Sequence, residues 1–585
     1  MSVTPVWDTT VRLDDTSGTG CSWRFSDLVT IITADTINDV VPALRTVEQL
    51  TQQGLVAVGF VAYEAAPALN RSLTTLPPRE GLPLVWFSIF RHRHMLTGST
   101  PDPTTHREGL TLKPSLCESD YLKTVGEIRD RIAQGECYQA NYTFPCQTTS
   151  ITSPEAVYNQ IIRSQKAPYC GLITTGQFSI LSASPELFFK RTGSQITTRP
   201  MKGTAARGHD RHDDHRRAQL LAENPKEQAE NLMIVDLLRN DLSMIAEVGS
   251  VRTERLFEVE TYPTLHQMTS TISATLKQNT SLLDIFRALF PCGSVTGAPK
   301  RKTMEILSEL ESGPRGVYCG AIGMVAPDGE AIFSVPIRTL VYDQTTDTIT
   351  TGVGSGITWD SDPRAEREEC HTKISFTAPP LPDAGLIESL RCEQGNCLRV
   401  VEHSERMAWS AQRLGIPFDP LAATALITEY AAGLSGVHKV RLLLNHQGIL
   451  TITADQIDAD NPVIRLTLSH TTVDPADQSL YLKLSDRSRY NTIRQQHPEA
   501  DEVIIRNTRG ELTEGTYTNL VVKRNGQYIT PPLASGLLPG VMRSVLLKTG
   551  VLHEQVLYPD DLATSEELWV INSVRGWQRG CLILE

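Results

Sequence analysis

Neither a helix nor a central strand can run through Phe376-Thr-Ala-Pro-Pro-Leu-Pro-Asp-Ala-Gly385. Three prolines remove backbone donors, and the acid and glycine favour turns. This stretch reads as a linker, 376–385. It separates a first domain, 1–375, from a second, 386–585. A chain of 585 residues exceeds what one hydrophobic core organises, so two domains suit the length.

Both parts mix helical and strand periods. Residues 228–242 read as a helix with Leu232, Val235, Leu238 and Leu242 on one stripe. Residues 121–134 read as another. Segments 171–181 and 331–342 read as strands. In the second part, 404–414 reads as a helix and 440–444, 463–468, 502–506 and 519–523 as strands. The expected fold class is therefore mixed α/β (α+β) in both domains. A second proline-containing stretch, 100–114, joins an N-terminal subregion to the rest of the first domain.

The net charge of -12 argues against nucleic acid or an anionic membrane as the main partner. No apolar run is long enough to span a bilayer. Residues 1–10 carry neither a basic nor an apolar leader region. Eleven cysteines without a CxxC pair fit a reducing compartment, and Cys392 and Cys397 lie close together in sequence. A cytoplasmic protein is expected.

Several segments carry chemistry by residue type. Lys202, in Arg199-Pro-Met-Lys-Gly-Thr204, is a candidate amine nucleophile, which requires an unprotonated nitrogen. Glu186, in Ser182-Ala-Ser-Pro-Glu-Leu-Phe188, is a candidate proton carrier. Glu227 and Glu230 are three apart, as are Glu366 and Glu369, so each pair shares a helical face. Two such faces suit a hard cation such as Mg²⁺. On spacing alone, each of these also reads as ordinary surface. Glycines recur at Gly293-Ser-Val-Thr-Gly-Ala-Pro-Lys300 and Gly352-Val-Gly-Ser-Gly356, where backbone N–H groups can approach an anion. Arg338, read in a strand, can grip a carboxylate with two bonds. His209, His212 and His215 sit in a very polar run and read as solvated surface rather than a zinc site.

In order, Gly135-Glu-Cys-Tyr-Gln-Ala-Asn141, Ser184-Pro-Glu186, Pro200-Met-Lys-Gly-Thr204, Ala229-Glu-Asn-Leu-Met-Ile-Val-Asp-Leu-Leu-Arg-Asn-Asp241, Thr296-Gly-Ala-Pro-Lys300 and Tyr318-Cys-Gly320 resemble the chorismate-utilising enzymes. That family includes anthranilate, isochorismate, salicylate and aminodeoxychorismate synthases. The resemblance covers roughly residues 20–375. It implies a two-sheet sandwich with chorismate between the sheets. It implies Mg²⁺ held by Glu230 and Glu369, with Glu227 and Glu366 close by. Arg338, Tyr318, Thr296 and the glycines Gly352, Gly354 and Gly356 would hold the substrate. Glu186 would be the general acid, and His266 matches an active-site histidine. Lysine at position 202 resembles the aminodeoxychorismate branch, where anthranilate synthases usually carry alanine. No glutaminase cysteine elbow occurs, so a separate glutamine amidotransferase is expected to supply ammonia.

In the second part, Leu386-Ile-Glu-Ser-Leu-Arg391, His403-Ser-Glu-Arg406, Tyr481-Leu-Lys483, Leu512-Thr-Glu-Gly515 with Thr518-Asn519, and Leu538-Pro-Gly-Val-Met-Arg543 resemble fold-type IV pyridoxal-phosphate enzymes. That group includes class IV aminotransferases and aminodeoxychorismate lyase. The resemblance implies that Lys483 binds the cofactor and moves protons, and that Glu514 pairs with its pyridine nitrogen. Arg406 and the backbone at Val541 and Met542 would hold the phosphate, with Thr518 and Tyr490 nearby. A homodimer through this domain is the family's habit.

Together the resemblances imply 4-aminobenzoate synthesis, a folate-precursor route, by two fused activities. Two other readings stay open on sequence. One is an anthranilate-type synthase joined to an aminotransferase. The other is a non-catalytic chorismate or tryptophan binder.

Overall fold

The computed structural model describes residues 10–18, 20–96, 109–149, 152–379, 381–382, 384–458, 460 and 462–583. Most of the N-terminal decade and much of 100–114 lie outside the described residues, as do Pro380 and Asp383. The chain forms two compact units. One comprises Met1–Arg207 and Arg217–Pro380; the other comprises Gly208–Arg216 and Leu381–Glu585. The break falls inside the proline-rich stretch. Phe376 and Thr377, expected in the linker, are buried in the first unit. Phe376 joins its apolar core, and the Thr377 carbonyl accepts the Leu110 amide at 3.1 Å.

The first unit is built from two strand layers. In one layer Val11–Asp14, Tyr169–Thr174, Phe178–Ser184, Thr339–Asp343, Thr348–Ile357 and Gln139–Thr149 pair antiparallel in that order. In the other, Ser22–Ala34, Val85–Leu96, Val56–Val61, Ala321–Val325, Ala331–Ser334, Leu187–Thr192, Gln195–Arg199 and Leu265–Thr275 do the same. Val11–Asp14 also pairs with Ser22–Ala34, which joins the layers into one hydrogen-bonded network. Phe178, Ile180 and Val341 of the first layer meet Phe60, Trp86 and Met324 of the second in one buried cluster. Helices Glu118–Ala133 and Pro154–Gln165 cover one outer face. Helices Ile37–Gln52, Pro225–Ser243 and Leu282–Leu289 cover the other. Two apolar faces per sheet explain why many of these strands read as continuous apolar runs.

Three expectations need correction. The segment 331–342 is two strands, Ala331–Ser334 and Thr339–Asp343. Pro336 breaks the ladder, and Arg338 lies between them at φ 51°, not in a strand. The segment 171–181 is a hairpin, Tyr169–Thr174 and Phe178–Ser184, because Gly176 at φ 90° reverses the chain. Leu232 is exposed, while Glu230, Asn231 and Asp241 share the buried side of its helix with Val235 and Leu238. That face covers a polar cleft as well as a core.

In the second unit, Asn396–Cys397, Leu386–Glu393, Val437–Leu444 and Leu450–Gln456 form a four-stranded sheet. Helices Val400–Leu414 and Pro420–Ala432 belong to the same part of the fold. Six further strands close into a ring: Ile464–Val473, Glu502–Asn507, Leu512–Gly515, Asn519–Arg524, Glu567–Asn572 and Gly576–Leu582. Leu466, Ile504, Leu520 and Val570 pack together in an apolar cluster of these strands. Among the described residues, no helix is long and apolar enough to cross a membrane.

Candidate functional site

Two helices of the first unit start in the same way. Asn224 Oδ1 accepts the amides of Lys226 and Glu227 at 2.9 and 3.4 Å, with Pro225 in the first turn. Asp362 Oδ1 accepts those of Arg364 and Ala365 at 3.0 and 2.9 Å, with Pro363 in the first turn. A capping oxygen followed by proline fixes a helix start. Each start places its glutamate pair in the first turns. Glu227, Glu230, Glu366 and Glu369 line one cleft together.

Lysines interleave with these carboxylates. Lys202 Nζ lies 3.5 Å from Glu230, and Lys226 Nζ lies 3.8 Å from its other oxygen. Lys373 Nζ pairs with Glu369 at 2.7 Å and donates to the Gly354 carbonyl at 2.9 Å. Burial and the charges of Glu230 and Glu369 push the Glu227 carboxyl up. Burial and Glu369 push Glu366 up, although Ser361 donates to it at 2.7 Å. Glu369 itself is held low: burial opposes ionisation, but the Lys373 ammonium outweighs it. These are hard oxygen donors crowded enough to repel one another. Their chemistry fits a divalent cation shared with a substrate carboxylate. Among the described residues, no three His, Cys, Asp or Glu groups already form a metal cage.

Glu186 faces the same cleft, accepting the Ser294 hydroxyl at 2.5 Å. Burial raises its carboxyl to about 7, against the lowering effects of Ser294 and Lys202. Arg338 also lines the cleft, donating to Gln165 Oε1 at 2.8 Å with its guanidinium 5.5 Å from the Tyr262 ring centre. Burial lowers it to about 10. No carboxylate pairs with it among the described residues, so a buried cation stands ready for an anion. A Cβ on Gly352 would meet the Tyr318 ring at 2.2 Å, and one on Gly356 would meet Lys202 Nζ at 1.9 Å. Glycine at these two positions is a matter of space.

Lys202, Glu186, Tyr318, Arg338, Gly352, Gly354, Gly356 and the four glutamates therefore line one cleft. Two expected residues do not. His266 is buried beside Thr261, 3.1 Å from its hydroxyl, while its strand neighbours Leu265 and Gln267 line the cleft. Side chains alternate along a strand, so His266 projects to the other side. Thr296 is fully buried and bonds the carbonyls of Cys292 and Gly293 at 3.3 Å. It ties the turn that presents Ser294 and Val295. Sequence reading missed Lys373, Ser294, Asn141, Lys226 and Gln267. Lys373 had a signal, four residues past Glu369 on one helical face.

The second unit gathers another polar group. Glu514, on the strand Leu512–Gly515, accepts Tyr490 Oη at 3.0 Å, the Leu538 amide at 3.2 Å and Asn519 Nδ2 at 3.4 Å. Burial raises it to about 7. Burial, then the Arg406 charge, lowers Lys483 to about 8. Arg406 donates from Nε and Nη2 to Glu388 at 2.8 and 2.6 Å and from Nη1 to the Pro539 carbonyl at 3.0 Å. Much of its fork therefore grips protein, which braces the turn before Val541 and Met542. Those two residues open the helix Val541–Lys548 behind Gly540. Thr518 donates to Glu502 at 2.9 Å. Glu388, His403 and Asn519 lay in the quoted motifs without an assigned role, and Glu502 opens the strand read over 502–506. His403 Nδ1 lies 2.6 Å from Glu388.

Comparison with known proteins follows this division. The family model for chorismate binding enzymes matches residues 11–379. That for class IV amino-transferases matches residues 385–583. An aminodeoxychorismate synthase of Streptomyces griseus is 40% identical over 285 residues, 48% of this chain and 39% of that protein. Aminodeoxychorismate synthase component 1 of Salmonella typhimurium is 36% identical over 291 residues, 50% of this chain and 64% of that protein. The match thus spans less than two thirds of either relative's length. The crystal structure of anthranilate synthase component I from Streptococcus pneumoniae TIGR4 shares the fold, with a TM-score of 0.54 and 22% identity over 64% of this chain and 93% of that one. With its first unit matched almost throughout, the chain belongs to the chorismate binding enzyme family and carries a class IV amino-transferase segment behind that unit.

Proposed function

We propose that the first unit aminates chorismate to 4-amino-4-deoxychorismate and that the second eliminates pyruvate from this product to give 4-aminobenzoate. One observation carries the reading: a lysine amine, a carboxyl raised to about 7 and a guanidinium with no carboxylate partner among the described residues line a single cleft with four glutamates. The names of the relatives in Streptomyces griseus and Salmonella typhimurium point the same way.

In this reading Arg338 takes a chorismate carboxylate, and the Tyr318 ring on Gly352 walls the pocket. Glu186, protonated, gives its proton to the leaving 4-hydroxyl. Lys202 attacks C2 as an amine, after which ammonia attacks C4 and expels the lysine. Glu230 and Glu369 would hold Mg²⁺, with Glu227 and Glu366 beside them. The ion would supply charge neutralisation for a carboxylate. The ammonia would come from a separate glutamine amidotransferase, in line with the "component 1" in the Salmonella relative's name.

In the second unit the residues fit pyridoxal 5'-phosphate. Lys483 is a half-buried amine with its proton loosely held, and Glu514 is a buried carboxyl that a cationic ring nitrogen would ionise. When bound, that group supplies an electron sink. Lys483 would then remove the proton at the amine-bearing carbon, and the N-terminal amides of Val541 and Met542 would hold the phosphate.

The test incubates the full chain with chorismate, Mg²⁺, pyridoxal phosphate and ammonium, followed by chromatography. Joint appearance of 4-aminobenzoate and pyruvate supports both halves. Anthranilate as the product overturns the reading.

A further inference from the structure

Leu386–Glu393 turns into Asn396–Cys397 through Gln394 and Gly395, both left-handed at φ 49° and 80°. Two such residues make the tight turn that suits a two-residue hairpin. Glu393 faces Asn396, and Cys392 faces Cys397. One step further, the Leu398 amide donates to the Arg391 carbonyl at 2.8 Å. In an antiparallel ladder hydrogen-bonded and non-hydrogen-bonded pairs alternate. The pair that closes the turn and the Arg391–Leu398 pair are of the bonded kind, so the cysteines occupy the non-bonded position between them. There Cα atoms approach to about 4.5 Å and the side chains lie on one face. That separation falls inside the range of roughly 4.4–6.8 Å that a disulfide spans. Both cysteines are free thiols.

We propose that Cys392 and Cys397 are a dithiol–disulfide modification site, oxidised by exchange with a small disulfide such as glutathione disulfide. The half-buried Cys397 is the point of entry, because Cys392 is fully buried. The Cys397 thiolate attacks the small disulfide, forming a mixed disulfide and releasing one glutathione thiolate. The Cys392 sulfur, its proton passing to solvent, then attacks the Cys397 sulfur and releases the second glutathione. Two protein thiols are oxidised to one disulfide, and one small disulfide is reduced to two thiols. Burial and the neighbouring Cys392 thiol push Cys397 up to about 12, so exchange is slow at neutral pH and quickens under alkaline conditions. The thiols lie beside Ala431 and Val440, which leaves the bridge shielded once formed. It would staple a hairpin whose first strand carries Glu388 and whose second leads into the helix Val400–Leu414 bearing Arg406.

Trypsin cuts after Arg391 and Arg399, so Cys392-Glu-Gln-Gly-Asn-Cys-Leu-Arg399 carries both thiols in one peptide. The folded full chain is incubated with glutathione disulfide at alkaline pH until exposed Cys117 is fully glutathionylated, then alkylated and digested. The expected peptide is lighter by two hydrogen atoms and carries no alkyl group. Cys392→Ser is expected to stop at a mixed disulfide on Cys397. Two alkylated cysteines at that point, or a stable glutathione adduct on Cys397 in the unmutated chain, overturns the proposal.

Discussion

A methyl group on Gly356 would sit 1.9 Å from Lys202 Nζ and 2.4 Å from Gln139 Nε2. Both are ends of flexible side chains, so Gly356→Ala is expected to fold while displacing Lys202 from Glu230. A nucleophile displaced by about 1 Å loses roughly 10²-fold in rate. Lys202→Ala is expected to lose at least as much. In both variants, conversion of supplied aminodeoxychorismate to 4-aminobenzoate stays at the starting rate. Measuring the two half-reactions separately checks this, and a Lys202→Ala chain that still aminates chorismate ends the assignment.

Glu186 has a folded value of about 7 against 4.5 for the free side chain, caused by burial. A general acid works only while protonated, so amination at saturating ammonia should fall as pH rises through about 7. Glu186→Gln should lose about 10²–10⁴-fold and show no such limb. Stability carries the matching sign. The raised carboxyl favours the fold fully below 4.5, and the benefit disappears as pH rises through about 7. The glutamine variant should therefore gain melting temperature relative to the unmutated chain above pH 7. Parallel thermal scans at pH 5 and pH 8 read this out.

Glu388 behaves in the opposite sense. Burial would raise it, but Arg406 and His403 hold it at about 2. A depressed carboxyl stabilises the fold above its free value of 4.5, and the benefit is lost as pH falls from there through about 2. Glu388→Gln leaves the Arg406 cation without its buried partner, at a cost of about 3–5 kcal/mol. Acid titration of the second unit's unfolding should show a steep loss below pH 4.5 in the unmutated chain and a shallower one in the variant. Equal slopes would mean that Arg406 finds another anion.

The helices read at 121–134, 228–242 and 404–414 were legible because helical periods are local signals. The two glutamate pairs stood out by their three-residue spacing, but spacing alone does not distinguish a cleft from a solvated helix face; the caps that bring both pairs to one cleft show only in the fold. Arg338 was misread because an apolar run on both sides of Pro336 looks like one strand, and only the chain's path shows the break. Leu232 was misread because the buried face of its helix is partly polar, so apolar periodicity picked a neighbouring stripe. Ser294 was invisible as a partner of Glu186, 108 residues away, since only the folded sheet brings them together.

Lys483 has a value of about 8 where a free lysine has 10.5, lowered by burial and then by the Arg406 cation, with Glu388 opposing. Only the unprotonated amine condenses with an aldehyde. The rate of pyridoxal 5'-phosphate loading should therefore rise with a midpoint near pH 8 rather than above 10. Removing the Arg406 charge by Arg406→Gln should move that midpoint upward, and Glu388→Gln should move it downward, because the cation would then act unopposed. Borohydride treatment of the loaded chain should leave the cofactor's mass on the peptide containing Lys483, and Lys483→Ala should carry none. Stopped-flow loading across pH 6–11, read with that peptide map, checks both the position and the charge argument. A midpoint near 10, or label on another lysine, would remove Lys483 from the site.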